Sequence, residues 1–334
     1  MKASKTHHCG ILNGAVLMCV ALVMAASAAG VGVMNAIPGD PITIDSGKVS
    51  GTLLDSGAHA YFGIPYAAPP VLDLRWRKPE LVKPWKGILN ADWQRPGCVT
   101  TGGLPDPGTE GYRGEEYRGE DCLYINLWVP ANAKPGSRLP VIAWMHPGGF
   151  SMMTANNPTY GGQELVKKGV IYLTIEYRSN ILGFLAHPEL TKESGINASG
   201  NWGLLDQVAG LKWVQRNISA FGGDPANVTI AGESAGSMSV SDLSVSPLAK
   251  GLFVKAIGMS GTFMPTGGQP HFSLQQAEAA GLKLQEALKA SSLADMRKVS
   301  WDRLMTIALQ AGVRAWPSVR LLHARPPREY FRRW

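Results

Sequence analysis

Apolar and polar positions along this chain alternate between two rhythms. Runs at Leu123–Val129, Pro140–Met145 and Val170–Glu176 read as strands, and the short apolar, partly β-branched run Val228–Ala231 as a strand buried on both faces. Elsewhere the apolar positions recur every three or four residues. Asp206–Ile218 places Val208, Leu211 and Val214 or Gln215 on one face, which predicts a helix laid against a sheet. Ser273–Ala290 predicts a second helix, with Leu282, Leu284 and Leu288 set among Glu and Lys. Strands alternating with helices predict an α/β architecture, with a mostly parallel central sheet flanked by helices. Before about Val99 the chain is rich in Gly, Pro and short β-like runs, and YFGIPYAAPP and RWRKPELVKPW read as irregular surface-hugging chain and edge hairpins. Gly102 to Gly119 reads as a Gly/Pro/charged loop, and no internal repeat is present.

The first 28 residues break this pattern. Lys2 and Lys5, the apolar stretch Ile11–Ala26 and then Ala26-Ser27-Ala28 form the three regions of a secretory signal peptide over 1–28. That predicts a secreted or periplasmic product with no permanent membrane anchor, although Val31, Val33 and Met34 prolong the apolar stretch enough to keep an anchor as the alternative. Removal of the leader takes Cys9 and Cys19 with it and leaves Cys98 and Cys122. In an oxidising compartment an even pair reads as a disulfide. His7-His8-Cys9 belongs to the leader and is not a metal site.

Composition is that of a globular protein, 45% hydrophobic and 17% charged. The net charge of +7 suggests a polyanion partner until it is located. Lys2 and Lys5, together with six arginines against Glu329 in residues 314–334, account for all of it. The body of the chain has no basic excess, which argues against nucleic acid.

The candidate chemistry lies in FGGDPANVTIAGESAG, residues 221–236, where a predicted strand meets a predicted helix through a G-x-S-x-G turn. Ser234 stands at its apex. On such a corner the serine Oγ projects above the sheet, and the helix N-terminus and the next backbone N–H face a bound substrate. The chemistry implied is acyl transfer, which calls for no cofactor and no metal.

Several further blocks stand in one order: FGIPYAAPP with LRWRKP, EDCLYINLWVP, HPGGF, IEYRSNILGFL, NWGLLDQVAGLKWVQRNISAFGGDP, GESAGS and AKGLFVKAIGMSG. From about Gly47 to Gly261 the chain therefore resembles the type-B carboxylesterase and cholinesterase-like family of the α/β-hydrolase superfamily. The resemblance implies an α/β-hydrolase fold and a small-molecule carboxylic ester as substrate. It implies Ser234 as nucleophile, with the backbone N–H groups of Gly148, Gly149 and Ala235 as the oxyanion hole. Glu233 matches an acidic position near the family's active site, and Ser260 a second serine that supports it. Arg75 with Glu120 and Arg178 with Asp206 match ion pairs that pin loops, and Cys98 with Cys122 matches the family's first disulfide. Pro147 departs from the pattern, since the family usually has glycine there. Proline offers no N–H, but the matched position is not one of the usual donors, so a stiffer loop is expected. His146 is assigned to shaping that loop, and His59 and His187 to ordinary structural roles.

A serine hydroxyl needs a base, and in α/β-hydrolases the order is Ser, acid, His. In the resembled family the His follows the Ser by about two hundred residues, whereas 100 residues follow Ser234 here. Asp295 and Asp302 fall in a predicted helical region, and His271 comes too early. The fold is accordingly expected to lack its C-terminal part and the chain its triad acid and His. Arg320–Arg325, RLLHAR, can be encoded by nucleotides that in another frame read Asp-Gly-Tyr-Phe-Met-Pro, similar to a family segment and following Pro317-Ser318-Val319. The expectation is an incomplete domain over 29–334 with 320–334 out of frame, which the nucleotide sequence would test. A non-catalytic binding or adhesion module, or a decayed pseudoenzyme, on the same scaffold is the alternative function.

Overall fold

The computed structural model describes residues 36–101, 118–262 and 272–315. The leader expected over 1–28, nearly all of the loop expected over 102–119, and the tail 320–334 lie outside them. Twelve strands are described: β1 (Ile42–Ile44), β2 (Gly47–Ser50), β3 (Thr52–Leu53), β4 (His59–Pro65), β5 (Ile88–Asn90), β6 (Gly97–Cys98), β7 (Arg118–Gly119), β8 (Tyr124–Val129), β9 (Leu139–Met145), β10 (Ile171–Ile175), β11 (Gly223–Glu233) and β12 (Lys255–Met259). The described helices are α1 (Gln163–Val166), α2 (Asn180–Phe184), α3 (Pro188–Glu193), α4 (Trp202–Asn217), α5 (Ala235–Val245), α6 (Leu274–Leu288), α7 (Leu293–Lys298) and α8 (Trp301–Gln310).

Seven strands form one sheet in the order β12-β11-β9-β10-β8-β4-β3. The four on the β12 side are mutually parallel, and β8, β4 and β3 join antiparallel. The sheet is thus mixed, and the expected parallel character belongs to its β12–β10 half. Connection length explains the division. Helices separate β9, β10, β11 and β12 in sequence, as parallel crossovers require, whereas the five residues between β3 and β4 suffice only for a hairpin.

Val141, Ala143 and Met145 of β9, Ile171, Leu173 and Ile175 of β10, and Val228 and Ile230 of β11 fill the main core. α4 lies on it through Leu204, Val208, Leu211 and Val214. This helix begins a turn earlier than its sequence pattern suggests, because Leu204 precedes Val208 by four residues and continues the same buried face. In α6, Leu284 is buried but Leu282 is 48% exposed. Two residues cannot share a helix face at a spacing of two, so Leu282 does not belong to the apolar stripe predicted for it. Ser273 and Gln276 form a reciprocal capping box that starts α6 where the sequence places it.

A second cluster joins α6, α7 and α8 to Trp76, Leu182, Leu185 and Trp202. Buried arginines tie it down. Arg75 makes two bonds to Glu120, at 2.6 and 2.5 Å, and donates to the carbonyls of Arg297 and Val299. Arg297 answers with a bond to the Arg75 carbonyl and two to Glu193. Cys98 and Cys122 are disulfide-bonded, with Cα atoms 4.9 Å apart. At the other end, β12 is the edge strand of the sheet among the described residues, and all five of its residues are exposed.

Candidate active site

β11 ends at Glu233 and α5 begins at Ala235, so Ser234 alone makes the corner between them. Its backbone is left-handed, with φ 50° and ψ −117°, a conformation costly for a residue with a side chain. The surroundings hold it there. The Ser234 N–H donates to the Met259 carbonyl at 2.8 Å, and its carbonyl accepts from Met238 N–H at 2.9 Å. The two glycines of the motif are required by contact: a Cβ on Gly232 would lie 2.4 Å from backbone atoms of Gly236. Strand and helix therefore meet backbone to backbone under the serine.

The second wall is the loop that follows β9. His146 and Pro147 lead into Gly148 at φ 111°, Gly149 at φ 58° and Phe150 at φ 54°. The Gly148 carbonyl accepts from the N–H groups of Ser151 and Met152, and Phe150, fully buried against Phe184, takes a 2.6 Å bond from Asn180 N–H. With its carbonyls committed inward, the loop leaves amides over. Among the described residues, no acceptor meets the N–H of Gly148, Gly149 or Ala235. Ala235 is the first residue of α5, where a helix N–H has no intrahelical partner.

Glu233 is half-buried at the end of β11, and Ser260 follows β12 with φ 56°. The residue next to Ser260 is the one in close contact with the elbow, since a Cβ on Gly261 would sit 2.3 Å from the Ser234 carbonyl oxygen. Ser237, quoted in the GESAGS block but given no role from the sequence, ties the same segment by a 2.6 Å bond to the Gly261 carbonyl. Arg178 and Asp206 pair deep in the core, at 2.8 and 2.7 Å, and Asp206 also accepts from the Arg178 N–H.

No hydrogen bond joins a described histidine to Ser234. His187 accepts from Glu189 N–H through Nδ1, and its Nε2 meets Gln285 Oε1 at 2.9 Å. His59 lies on β4, which β9, β10 and β8 separate from β11, roughly 19 Å at the usual strand spacing. His146 is fully buried, stacks on Tyr177 and has Nδ1 2.8 Å from the Pro147 carbonyl. Burial holds it down at about 4, which makes it a neutral ring, not a base exchanging protons with solvent. Asp295 and Asp302 sit in the first turns of α7 and α8, ordinary places for carboxylates at helix N-termini. A separate groove of about 680 Å³ lies along α4 between Trp76, Trp202, Lys212 and Leu248, and none of the candidate site residues lines it.

Residues 39–323 match the model of the carboxylesterase family. The chain belongs to that family. It is 42% identical over 262 residues to fumonisin B1 esterase of Sphingopyxis macrogoltabida, covering 78% of this chain and 46% of that protein. It is 38% identical over 281 residues to para-nitrobenzyl esterase of Bacillus subtilis strain 168, covering 84% and 53%. Among solved structures, a carboxylesterase of Geobacillus stearothermophilus superposes with a TM-score of 0.73 at 34% identity, over 84% of this chain and 56% of that one. The fold is that of the α/β-hydrolase carboxylesterases. The chain spans about half the length of the curated relatives it matches.

Proposed function

We propose that the chain carries the nucleophile half of an exported serine carboxylic ester hydrolase. Ser234 Oγ attacks the ester carbonyl, and the developing oxyanion is taken by the N–H groups of Gly148, Gly149 and Ala235. The alcohol leaves, and water cleaves the acyl-enzyme. Each oxyanion donor is worth about 3 kcal/mol in the transition state. Acyl transfer of this kind uses no metal and no cofactor. The observation that carries the proposal is the left-handed Ser234 at a strand-to-helix corner, beside amides without acceptors. Positive φ also occurs at Phe150 and Ser260 among others, so it is the combination at Ser234, strain at a strand-to-helix corner beside amides without acceptors, that favours catalysis over a non-catalytic module.

The relatives' names cover a fumonisin esterase, a para-nitrobenzyl esterase and a hydrolase of fatty acyl-CoA, a thioester, which supports hydrolysis of activated acyl groups with carboxylic esters foremost and nothing finer. The base and acid of the triad are assigned to polypeptide outside the described residues. Without them the chain keeps its oxyanion donors but turns over about 10⁴ to 10⁶ more slowly. Export follows from the leader over 1–28 and agrees with a disulfide, and no helix among the described residues is long and apolar enough to cross a membrane. Glu233 and Ser260 are assigned supporting roles at the same site.

A fluorophosphonate tests the proposal, because an activated serine attacks its phosphorus and expels fluoride. The expected result is one slow adduct on the peptide containing Ser234, absent from Ser234→Ala. Equal labelling and equal ester hydrolysis in Ser234→Ala would sink it.

A further inference from the structure

Among the described residues, Glu176 faces both ends of the loop from His146 to Ala155 with its carboxylate. It follows β10 and is 2% exposed. Its Oε2 accepts from the Ala155 N–H at 2.6 Å, where the loop ends. Its Oε1 accepts from Cys98 N–H at 3.1 Å and stands 3.8 Å from His146 Nε2, where the loop begins. The main chain of Glu176 is fixed as well: its N–H donates to the Tyr124 carbonyl and its carbonyl accepts from Tyr66 Oη.

The protons in this cluster can be placed. A carbonyl only accepts, so His146 Nδ1 carries the hydrogen it donates to Pro147, and Nε2 is left with a lone pair. Nε2 is buried and has no hydrogen-bond partner among the described residues. The group facing it is Glu176, and a carboxyl in its acid form has a hydrogen to offer. Burial pushes Glu176 up to about 8, against the pull of the two backbone N–H groups and Arg118, so the acid form prevails at neutral pH.

We infer that Glu176 is a positioning residue that clamps the entry and exit of the candidate oxyanion loop, and so fixes the Gly148 and Gly149 amides relative to Ser234. The inference rests on the oxyanion role proposed for that loop. Nothing in the sequence pattern marks Glu176 beyond an acid at the end of an apolar run.

Backbone hydrogen exchange over residues 146–155, measured beside melting temperature in the full 334-residue chain, tests the clamp. In Glu176→Ala the loop amides should exchange about tenfold faster or more while those of β11 and α5 keep their wild-type rates. Glu176→Gln should show a smaller rise, because a carboxamide still accepts from Ala155 and faces His146 with a donor while losing the bond from Cys98 N–H, and it serves as the test where the alanine variant fails to fold. On para-nitrophenyl acetate, both variants should lower kcat with KM within about twofold, since the lost interaction acts on the transition state. Unchanged exchange in 146–155, or a rise spread evenly over the sheet, would overturn the inference. If the wild type forms no Ser234-dependent fluorophosphonate adduct, the esterase proposal for this chain falls, while the exchange rates still decide the clamp.

Discussion

The Cβ that Gly236 lacks would lie 2.1 Å from the carbonyl oxygen of Met145. Met145 is the last residue of β9, and its chain runs on into His146 and the glycine loop. The helix that carries Ser234 is therefore seated on the very strand end that aims Gly148 and Gly149. The two walls of the candidate site share one backbone contact, and their spacing is set by the absence of a single carbon.

Gly236→Ala forces that contact apart with no flexible side chain to give way, and should destabilise the chain by about 2–3 kcal/mol. Gly149→Ala is the control. It has open space around its Cβ and meets only the left-handed penalty of about 1 kcal/mol. Urea midpoints of the two variants compare them directly. Equal losses would show that the backbone contact does not set the spacing.

Arg178 and Asp206 are both essentially excluded from water. Asp206→Asn keeps the shape but leaves a guanidinium buried without its counter-charge, which should cost about 3–5 kcal/mol. Replacing both with apolar residues of similar volume should recover most of that loss, because the penalty belongs to the orphaned charge. If the double variant is no more stable than Asp206→Asn, the buried charge is not the cause.

The parallel half of the sheet was legible at β9, β10 and the Val228–Ala231 part of β11, because each is a short apolar, partly β-branched run of strand length. Ser234 was legible for a different reason, since a glycine two residues to either side marks close backbone approach. Leu282 misled because leucines at 282, 284 and 288 fit a helix only if one faces solvent, and composition does not say which. Glu176 was not legible at all. Its role arises from Cys98, His146 and Ala155, distant in sequence, converging on one carboxyl, and no local spacing encodes that convergence. The Arg75–Glu120 pair was matched through the family resemblance, but the hold of Arg75 and Arg297 on α7 was hidden, because there the two arginines bond backbone carbonyls, which every residue has.

The Cys98–Cys122 bond spans 24 residues of sequence. On the chain-entropy account, Cys98→Ser with Cys122→Ser should cost about 3 kcal/mol. Denaturation midpoints with and without reductant give the same quantity for the wild type. A double variant as stable as the oxidised chain would remove the bond from the list of what holds this fold.

The pair His146 and Glu176 sets a pH profile whose sign can be worked out. Glu176 releases its proton near 8 when folded but near 4.5 when unfolded, so its contribution is complete below 4.5 and drains away as pH climbs to 8. His146 takes up its proton near 4 when folded but near 6.5 when unfolded, so its contribution is complete above 6.5 and is lost as pH falls towards 4. Between 4.5 and 6.5 the two slopes oppose each other, and above 6.5 only Glu176 acts. The neighbouring groups do not reverse this. Arg118 favours the Glu176 anion but burial outweighs it, and Tyr66 and Tyr177 are driven to still higher pH by their own burial beside the Arg178–Asp206 pair and Glu176. The melting temperature should therefore fall from pH 6.5 to 8 in the wild type, and Glu176→Gln should flatten that alkaline limb while keeping the acid one. An alkaline limb of undiminished slope in Glu176→Gln would place the titrating group elsewhere.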